Sequence, residues 1–249
     1  MPIRKGQSVH FFERHIECYL VPKYIGIGHL AMIIVILQGL GIGYLVIGSD
    51  SDTMIKVKRF IKILFWLVLG ILLVWWLLTL YVQQKGPYYS QFFGNKESTI
   101  ALIAFDGDPF YNLDERVCTA FAKGLSANGI GAQVVSVRAL NDVLPGEYDM
   151  MVFCANTYNW APDRAMVEAI KDQIDIDGQK VVAITIGSGS TKRAQKLFEQ
   201  TIIEEGGHLL ATETYWLLRP NDESQLEQSN VVVAEKMAIE AANKIAGNF

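Results

Sequence analysis

The chain has 249 residues, of which 51% are hydrophobic and 19% are charged, and its formal net charge at pH 7 is −4. This charge is divided unevenly, because residues 1–96 carry a balance of +6 and residues 97–249 a balance of −10. An acidic domain lacks the clustered Lys and Arg that phosphate backbones require, so nucleic acid is excluded as a partner class. The three cysteines, Cys18, Cys118 and Cys154, have no paired or metal-type spacing and do not indicate a disulfide framework.

Two apolar stretches near the N-terminus are each long enough for a membrane-spanning helix. No charged residue occurs in residues 24–49 or in residues 63–84. About 20 apolar residues suffice to cross a hydrocarbon core of about 30 Å. The sequence therefore predicts a tail over residues 1–23 and two transmembrane helices within residues 24–84, at about 25–48 and 62–84. The alternative, a helix buried in a soluble core, seldom stays apolar on all sides over such a length.

The distribution of cations predicts how this hairpin is oriented. Six Lys and Arg flank its outer ends and four lie in the connecting loop, which favours a multi-pass protein of the cell membrane with a cytoplasmic soluble domain. His29, at the head of the first span, is a candidate haem ligand. The second span contains no His, so a bis-histidine haem would require a ligand from a partner subunit.

A short Gly- and Pro-containing linker, residues 85–97, leads to a regular domain over residues 98–249. Apolar runs typical of buried strands occupy residues 98–105, 132–137, 150–155, 180–186 and 208–215. Helical patterns occupy residues 113–128, a segment that begins at Pro162, and residues 191–205 and 231–246. This alternation predicts an α/β fold with a parallel sheet covered by helices on both faces. Such sheets carry their functional loops at the carboxyl ends of the strands, here residues 106–112, 156–161 and 187–191.

The second and third of these loops have the composition of a site for a planar ligand. Tyr158 and Trp160 supply flat aromatic surfaces, and Gly187 and Gly189 let backbone amides approach a ligand closely. Hydroxyl donors come from Ser188, Ser190 and Thr191. The structural alternative is that Trp160 packs on the following helix and that the glycines only form a turn.

The motif N-T-Y-N-W-A-P at residues 156–162 resembles the loop of the flavodoxin-like family that lies against the flavin ring. G-S-G-S-T at residues 187–191 is similar to the glycine-rich loop on the other side of that ring, and G-x-K-V at residues 178–181 also agrees. The resemblance covers residues 98–249. It implies a five-stranded parallel sheet in the order 2-1-3-4-5, with FMN as the cofactor.

The resemblance also implies which residues would hold the flavin. Tyr158 and Trp160 would flank the ring, the glycine-rich loop would bind its edge, and backbone around Gly107 would receive the phosphate. The complete set of implied cofactor-binding residues is Gly107, Phe110, Tyr111, Asn156, Thr157, Tyr158, Asn159, Trp160, Gly187, Ser188, Gly189 and Ser190.

The first loop departs from the family, because F-D-G-D-P-F stands where a phosphate loop rich in Ser, Thr and Gly is expected. Asp106 and Asp108 would face the phosphate charge, and Pro109 has no amide to donate. Two carboxylates at a strand end could instead hold Mg²⁺ and supply an aspartyl nucleophile, as in haloacid-dehalogenase-like phosphatases. No later Asp-Asp pair supports that alternative. Asn112 and Glu115 form a capping-box pattern for the helix that follows.

These observations predict a membrane-anchored flavodoxin-like protein, an FMN-type electron carrier that serves a membrane-bound oxidoreductase. Electron transfer is expected rather than catalysis on a substrate of its own, and the expected partners are the bilayer and a membrane-bound redox protein or complex. The alternative, favoured by Asp106 and Asp108, is a flavin-free flavodoxin-like scaffold or accessory subunit of a membrane complex.

Overall fold

The structure is a computed structural model that describes residues 51–96, 99–143 and 148–247, with side chains from residue 59 onward. Its first helix, α1, runs over Ser51–Val82. The stretch Arg59–Val82 is long and apolar enough to cross a membrane, and none of its most apolar part is buried. At 1.5 Å per residue this stretch is about 36 Å long. The first predicted span, residues 25–48, lies outside the described residues.

The remainder of the chain alternates strands and helices. The strands are β1 Ser90–Phe93, β2 Ile100–Phe105, β3 Gly131–Ser136, β4 Met150–Tyr158, β5 Ala161–Pro162, β6 Lys180–Gly187 and β7 His208–Trp216. The helices are α2 Leu113–Ala127, α3 Leu140–Val143, α4 Arg164–Asp172, α5 Lys192–Glu204 and α6 Asn230–Ala246.

The sheet has the order β1-β3-β2-β4-β6-β7, with β5 paired to β4 outside this path. The five strands β3, β2, β4, β6 and β7 are parallel, which confirms the predicted parallel order 2-1-3-4-5. The sheet has seven strands and not the predicted five, because β1 pairs antiparallel with β3 and β5 pairs antiparallel with β4. β1 lies within residues 85–97, so part of the segment interpreted as a linker is an edge strand. Its sequence, SQFF, has two polar residues followed by two aromatic ones. It therefore lacks the alternation of polar and apolar residues that predicts a strand.

Helices cover both faces of the sheet, as the sequence predicts. One face packs against α2 and α6 around Phe105, Phe121 and Tyr215, and the other packs against α4 and α5 around Phe153 and Phe198. The central strand β2 is buried along almost its whole length, which explains its continuous apolar sequence. α2 instead repeats its apolar residues every four positions, because only one side of it meets the sheet.

Two predicted boundaries are wrong near the candidate site. β4 continues to Tyr158, three residues beyond its predicted end, because it pairs with β5 in a hairpin. Pro162 therefore belongs to a strand, and α4 begins only at Arg164 after Asp163, whose side chain caps the helix by accepting a hydrogen bond from the Met166 amide. The predicted capping role of Asn112 is also wrong, since its side chain makes no capping bond to α2.

Candidate functional site

The three predicted loops meet at one edge of the sheet, beyond the carboxyl ends of β2, β4 and β6. β2 pairs with β3 on one side and with β4 on the other, so the strand order reverses between β2 and β4. Ligands of open α/β sheets bind beside such a reversal. We call this side of the domain the carboxyl edge, and it comprises residues 85–89, 106–112, 137–142, 156–163, 187–193 and 217–229.

The loop after β4 is a tight hairpin that presents Trp160 at its tip. Tyr158 pairs with Ala161, and the two residues between them have positive φ angles, 51° at Asn159 and 60° at Trp160. Two positive φ values are typical of a type I′ turn, in which glycine is favoured at the second position. A bulky L-residue in this conformation costs roughly 1–2 kcal/mol. Trp160 occupies this strained second position, and its indole is 49% exposed at the carboxyl edge.

Asn156, at the end of β4, connects the first two loops. Its side-chain amide donates to the Asp106 carbonyl at 2.8 Å and to Asp114 Oδ2 at 2.9 Å. Its backbone N–H donates to Asp163 Oδ2 at 2.7 Å. Asn156 and the three aspartates are all buried, so these bonds fix the carboxyl ends of β2 and β4 against each other. The sequence pattern missed Asp114 and Asp163, because each looks like an ordinary residue of a helix start.

Asp108 is held by the amides that a bound phosphate would need. Its Oδ1 accepts the backbone N–H groups of Phe110 at 2.7 Å and Tyr111 at 2.8 Å. Its Oδ2 accepts a hydrogen bond from the hydroxyl of Tyr158, and its own N–H donates to Asp114 Oδ2 at 2.7 Å. A side-chain carboxylate therefore occupies the anion position of the loop. The Phe110 and Tyr111 amides, which the resemblance implies for a phosphate, are bonded to Asp108 in this structure.

The segment that follows α1 lies directly on this first loop. The Gly86 N–H donates to Asp106 Oδ1 at 2.9 Å, and a Cβ at Gly86 would lie 2.6 Å from the Gly107 carbonyl oxygen. A Cβ at Gly107 would lie 3.2 Å from Pro87 Cδ. The two glycines allow the backbones to touch, so the chain itself covers Gly107, which the sequence analysis placed in the phosphate site.

The buried carboxyls of the edge have raised pKa values. Burial raises the pKa of Asp106 to about 6, although the Gly86 N–H and the nearby charges of Lys85 and Arg138 lower it. Burial likewise raises the pKa of Asp114 to about 6, against the lowering effect of its hydrogen bond from Asn156. Burial and the charge of Asp106 also raise the pKa of Asp163. Because ionisation of these buried carboxyls is already unfavourable, a phosphate dianion beside them would be unfavourable as well.

The glycine-rich loop after β6 is closely packed. A Cβ at Gly187 would lie 2.6 Å from Thr191 Cγ2 and 3.1 Å from Thr157 Cβ, and one at Gly189 would lie 3.1 Å from Arg219 Cβ. The structural alternative for these glycines therefore holds in part, since packing alone requires Gly187. The buried hydroxyl of Thr157, however, has no hydrogen-bond partner within the described residues. An unpartnered buried hydroxyl beside a cavity is a candidate contact for a ligand.

Two adjoining cavities lie at the carboxyl edge and share Thr157, Tyr158 and Ser188. The larger one, about 430 Å³, is also lined by Trp160 and by the end of α1 around Trp75. The smaller one, about 200 Å³, reaches Asp108 and Tyr111. Volumes of 300–1,000 Å³ with apolar walls and a few polar groups are typical of small-molecule sites. The larger cavity is therefore of the right size for a ring, and charged side chains are absent from its described lining.

The structure brings most of the predicted site residues to these cavities. The larger cavity is lined by Thr157, Tyr158, Asn159, Trp160, Ser188 and Ser190, and the smaller one adds Tyr111, Asn156 and Gly187. The described lining of neither cavity includes Gly107, Phe110 or Gly189.

FMN joins an isoalloxazine ring to a phosphate through a ribityl chain, and the residues fit the ring but not the phosphate. The aromatic hairpin, the cavity and the unpartnered Thr157 hydroxyl suit a planar ring. The first loop does not suit the phosphate, because Asp108 takes its amides and Gly86 covers its glycine. Asp106 and Asp108 are the residues at which the sequence departs from a phosphate-binding loop. The contacts of Asp108 show the physical consequence, because its carboxylate accepts the amides of Phe110 and Tyr111.

The two carboxylates of the first loop, Asp106 and Asp108, are also potential metal ligands. Within the described residues there is no group of three or more His, Cys, Asp or Glu side chains that could hold a metal ion. Asp106 and Asp108 instead bond to backbone N–H groups and to Tyr158. His29, the candidate haem ligand, lies outside the described residues.

The fold and the edge define a doubly wound α/β domain with the flavodoxin-like strand order. No family model matches the chain, and no curated protein sequence matches it. Several solved structures are similar over about three-fifths of the chain. A flavodoxin from the domain Archaea is 12% identical, with 59% of this chain and 99% of that chain covered and a TM-score of 0.45. A flavodoxin variant from Pseudomonas aeruginosa is 18% identical, with 60% and 97% covered and a TM-score of 0.46. The flavodiiron core of a Synechocystis protein is 14% identical, with 60% and 35% covered and a TM-score of 0.45.

Proposed function

We propose that this protein is a membrane-anchored flavodoxin-like module that serves a membrane oxidoreductase complex as an accessory subunit, without FMN of its own. The observation that carries the proposal is the occupation of the anion position by Asp108. Its carboxylate accepts two backbone amides and the Tyr158 hydroxyl. Bonds to an ionised acceptor are about twice as strong as neutral ones, so a phosphate would have to displace a well-bound group of its own charge.

The anchoring part of the proposal rests on α1 and on the first apolar stretch of the sequence. Residues Arg59–Val82 meet the length and composition of a membrane span, and their apolar side chains are exposed rather than packed in a core. An exposed apolar helix of this length is costly in water, because each large side chain contributes about 1.5–3 kcal/mol when removed from it. Insertion in a bilayer removes that cost.

We further propose that the domain lies on the cytoplasmic side, on the strength of the six cations that flank the outer ends of the predicted hairpin. Protease treatment of sealed inside-out vesicles tests this. The domain should be digested there and protected in right-side-out vesicles, and the reverse pattern would place it on the other side.

Titration with FMN tests the absence of flavin. The full chain in detergent should leave FMN fluorescence unchanged, whereas the variant Asp108→Ser, which frees the amides of Phe110 and Tyr111, should quench it to a measurable degree. Glu204→Gln, which removes an exposed carboxylate at the end of α5, is the matched control and should behave like the unmodified chain. Flavin that co-purifies with the unmodified protein would refute this part of the proposal.

Co-purification from native membranes tests the accessory role. An accessory subunit should be recovered with the same membrane proteins in a fixed ratio after mild solubilisation. If the chain is recovered without other membrane proteins after native membranes are solubilised in each of several mild detergents, the accessory role is contradicted.

A second candidate function is the FMN-type electron carrier, and the ring cavity is the observation that favours it. The strained hairpin presents Trp160 beside a cavity of about 430 Å³, and the buried Thr157 hydroxyl there lacks a partner within the described chain. In that function the domain transfers electrons and has no substrate of its own. A visible absorption spectrum of the solubilised protein discriminates between the two candidates, because only the carrier would show flavin bands.

A further inference from the structure

The exposed aromatic side chains of the domain are concentrated at the carboxyl edge. Between residues 84 and 247, the exposed large aromatic side chains in the described chain are those of Tyr88, Phe110, Tyr111 and Trp160, and all four belong to this edge. Leu218, 73% exposed, and Leu226, 68% exposed, lie there as well. Exposed aliphatic side chains also occur outside the edge, at Leu197, Ile203, Leu210 and Val232. It is the exposed aromatic groups that cluster on this one side, and such a cluster indicates a surface that meets a partner or a membrane.

The same edge contacts the last turns of α1. The Tyr81 and Phe110 rings are 5.8 Å apart between centroids, and the Asn159 side-chain amide donates to Thr79 Oγ1 at 3.3 Å. Thr79 is only about 5 Å from the end of the apolar stretch at Val82, at 1.5 Å per residue. If α1 spans a bilayer, its last turn lies at the level of the headgroups, and the loops that touch it must lie at the same level.

The charges of the carboxyl edge agree with this position. Although residues 97–249 have a net charge of −10, the exposed residues of the described edge include more cations than acids. The exposed cations are Lys85, Arg138, Lys192, Arg193 and Arg219, and the exposed acids are Asp142, Glu223 and Glu227. Asp106 and Asp163 are buried and do not reach the surface, whereas Asp108 and Asp222 are half-buried. An anionic lipid surface attracts Lys and Arg by about 1 kcal/mol each, so the five exposed cations favour contact with headgroups at this edge.

We propose that the carboxyl edge of the domain rests on the surface of an anionic bilayer, with Trp160, Phe110 and Leu218 in the headgroup region. Tyr and Trp favour that region because their rings are amphipathic. The proposal rests on the anchoring of α1 proposed above and adds an orientation, with the sheet strands directed toward the membrane and the cavities opening at its surface.

Lipid quenching of a fluorescent label tests this orientation in the full chain. Cys18 is replaced by serine, Cys118 and Cys154 are buried, and single cysteines are introduced by Trp160→Cys and, separately, by Leu218→Cys. Each variant carries an environment-sensitive label in nanodiscs of phosphatidylcholine and phosphatidylglycerol at about 3:1, a composition chosen to be anionic. Two further variants serve as references: Leu69→Cys within α1, and Glu204→Cys at the last residue of α5, outside the carboxyl edge.

Quenching by nitroxide lipids then separates the possible results. We expect headgroup nitroxides to quench the labels at positions 160 and 218 at least about twofold more than the label at position 204, since quenching requires contact within the bilayer. Deep acyl-chain nitroxides should quench the label at position 69. If positions 160 and 218 behave like position 204 while position 69 is quenched, the chain is anchored and the proposed orientation is wrong. If position 69 is also unquenched, the anchoring itself fails. Agreement between positions 160 and 218 guards against a local disturbance of the hairpin.

Discussion

The strain at Trp160 predicts an inverted preference between alanine and glycine. At an ordinary exposed helix position glycine is about 1 kcal/mol less stable than alanine. At position 160 the φ of 60° penalises any residue with a Cβ by roughly 1–2 kcal/mol. The greater freedom of glycine in the unfolded chain returns about 0.4–1 kcal/mol of that difference. Trp160→Gly should therefore be more stable than Trp160→Ala by on the order of 0.5–1 kcal/mol.

The comparison isolates the backbone, because both variants lose the same indole contacts. Denaturant unfolding of the full chain in detergent, followed by far-UV circular dichroism, measures the free energy of unfolding of each. Lys196, exposed within α5, provides the control pair Lys196→Ala and Lys196→Gly, in which alanine should be the more stable. If the alanine variant is equally stable or more stable than the glycine variant at position 160, the hairpin is not strained at this residue.

Three further predictions concern the edge. The pKa of Asp106 is raised from 3.8 to about 6, so its ionisation lowers the stability of the domain as the pH rises from about 4 to 6. Asp106→Asn should remove that loss and stabilise the domain by about 2–3 kcal/mol at pH 7, with no gain at pH 4. Denaturant unfolding at both pH values measures the difference. Glu204→Gln, at an exposed position, should change neither value, and an equal gain at pH 4 would exclude ionisation as the cause. Gly187→Ala should destabilise the domain by about 1–3 kcal/mol, because its Cβ would lie 2.6 Å from Thr191 Cγ2. Adding Thr191→Ser removes that methyl and keeps the hydroxyl that accepts the Trp216 indole N–H at 2.9 Å, so thermal unfolding should show partial recovery; no recovery would contradict this packing argument.

Much of the parallel sheet could be predicted because its signals are local. The buried strands β2, β4 and β6 are continuous apolar runs, and the helices between them repeat their apolar residues on one side. β1 could not be predicted in this way. Its four residues are held by pairing with β3, whose partner residues lie 39 to 45 positions away in sequence, and no periodicity within residues 90–93 records that partner.

The candidate site was predicted in outline and differs in its bonding. Tyr158 and Trp160 do face a cavity, since a loop after a buried parallel strand must lie at the carboxyl edge. The role of Asp108 was only partly accessible, because its sequence position shows a misplaced charge and does not show which amides that charge binds. The role of Asp163 could not be predicted from the sequence either. Its capping of α4 and its bond to the Asn156 amide depend on the two-residue strand β5, which a pattern search does not detect.

The pairing of β1 with β3 has a mechanical consequence. β1 begins at Ser90, close to the end of α1, and its partner residues descend from Val135 to Ala132 as the chain moves away from that end. A force that draws α1 away from the domain along the strand direction would load the bonds of this pair side by side, in shear, and would not open them one after another. Four residues can thus transmit tension between the helix and the sheet without being peeled apart one bond at a time.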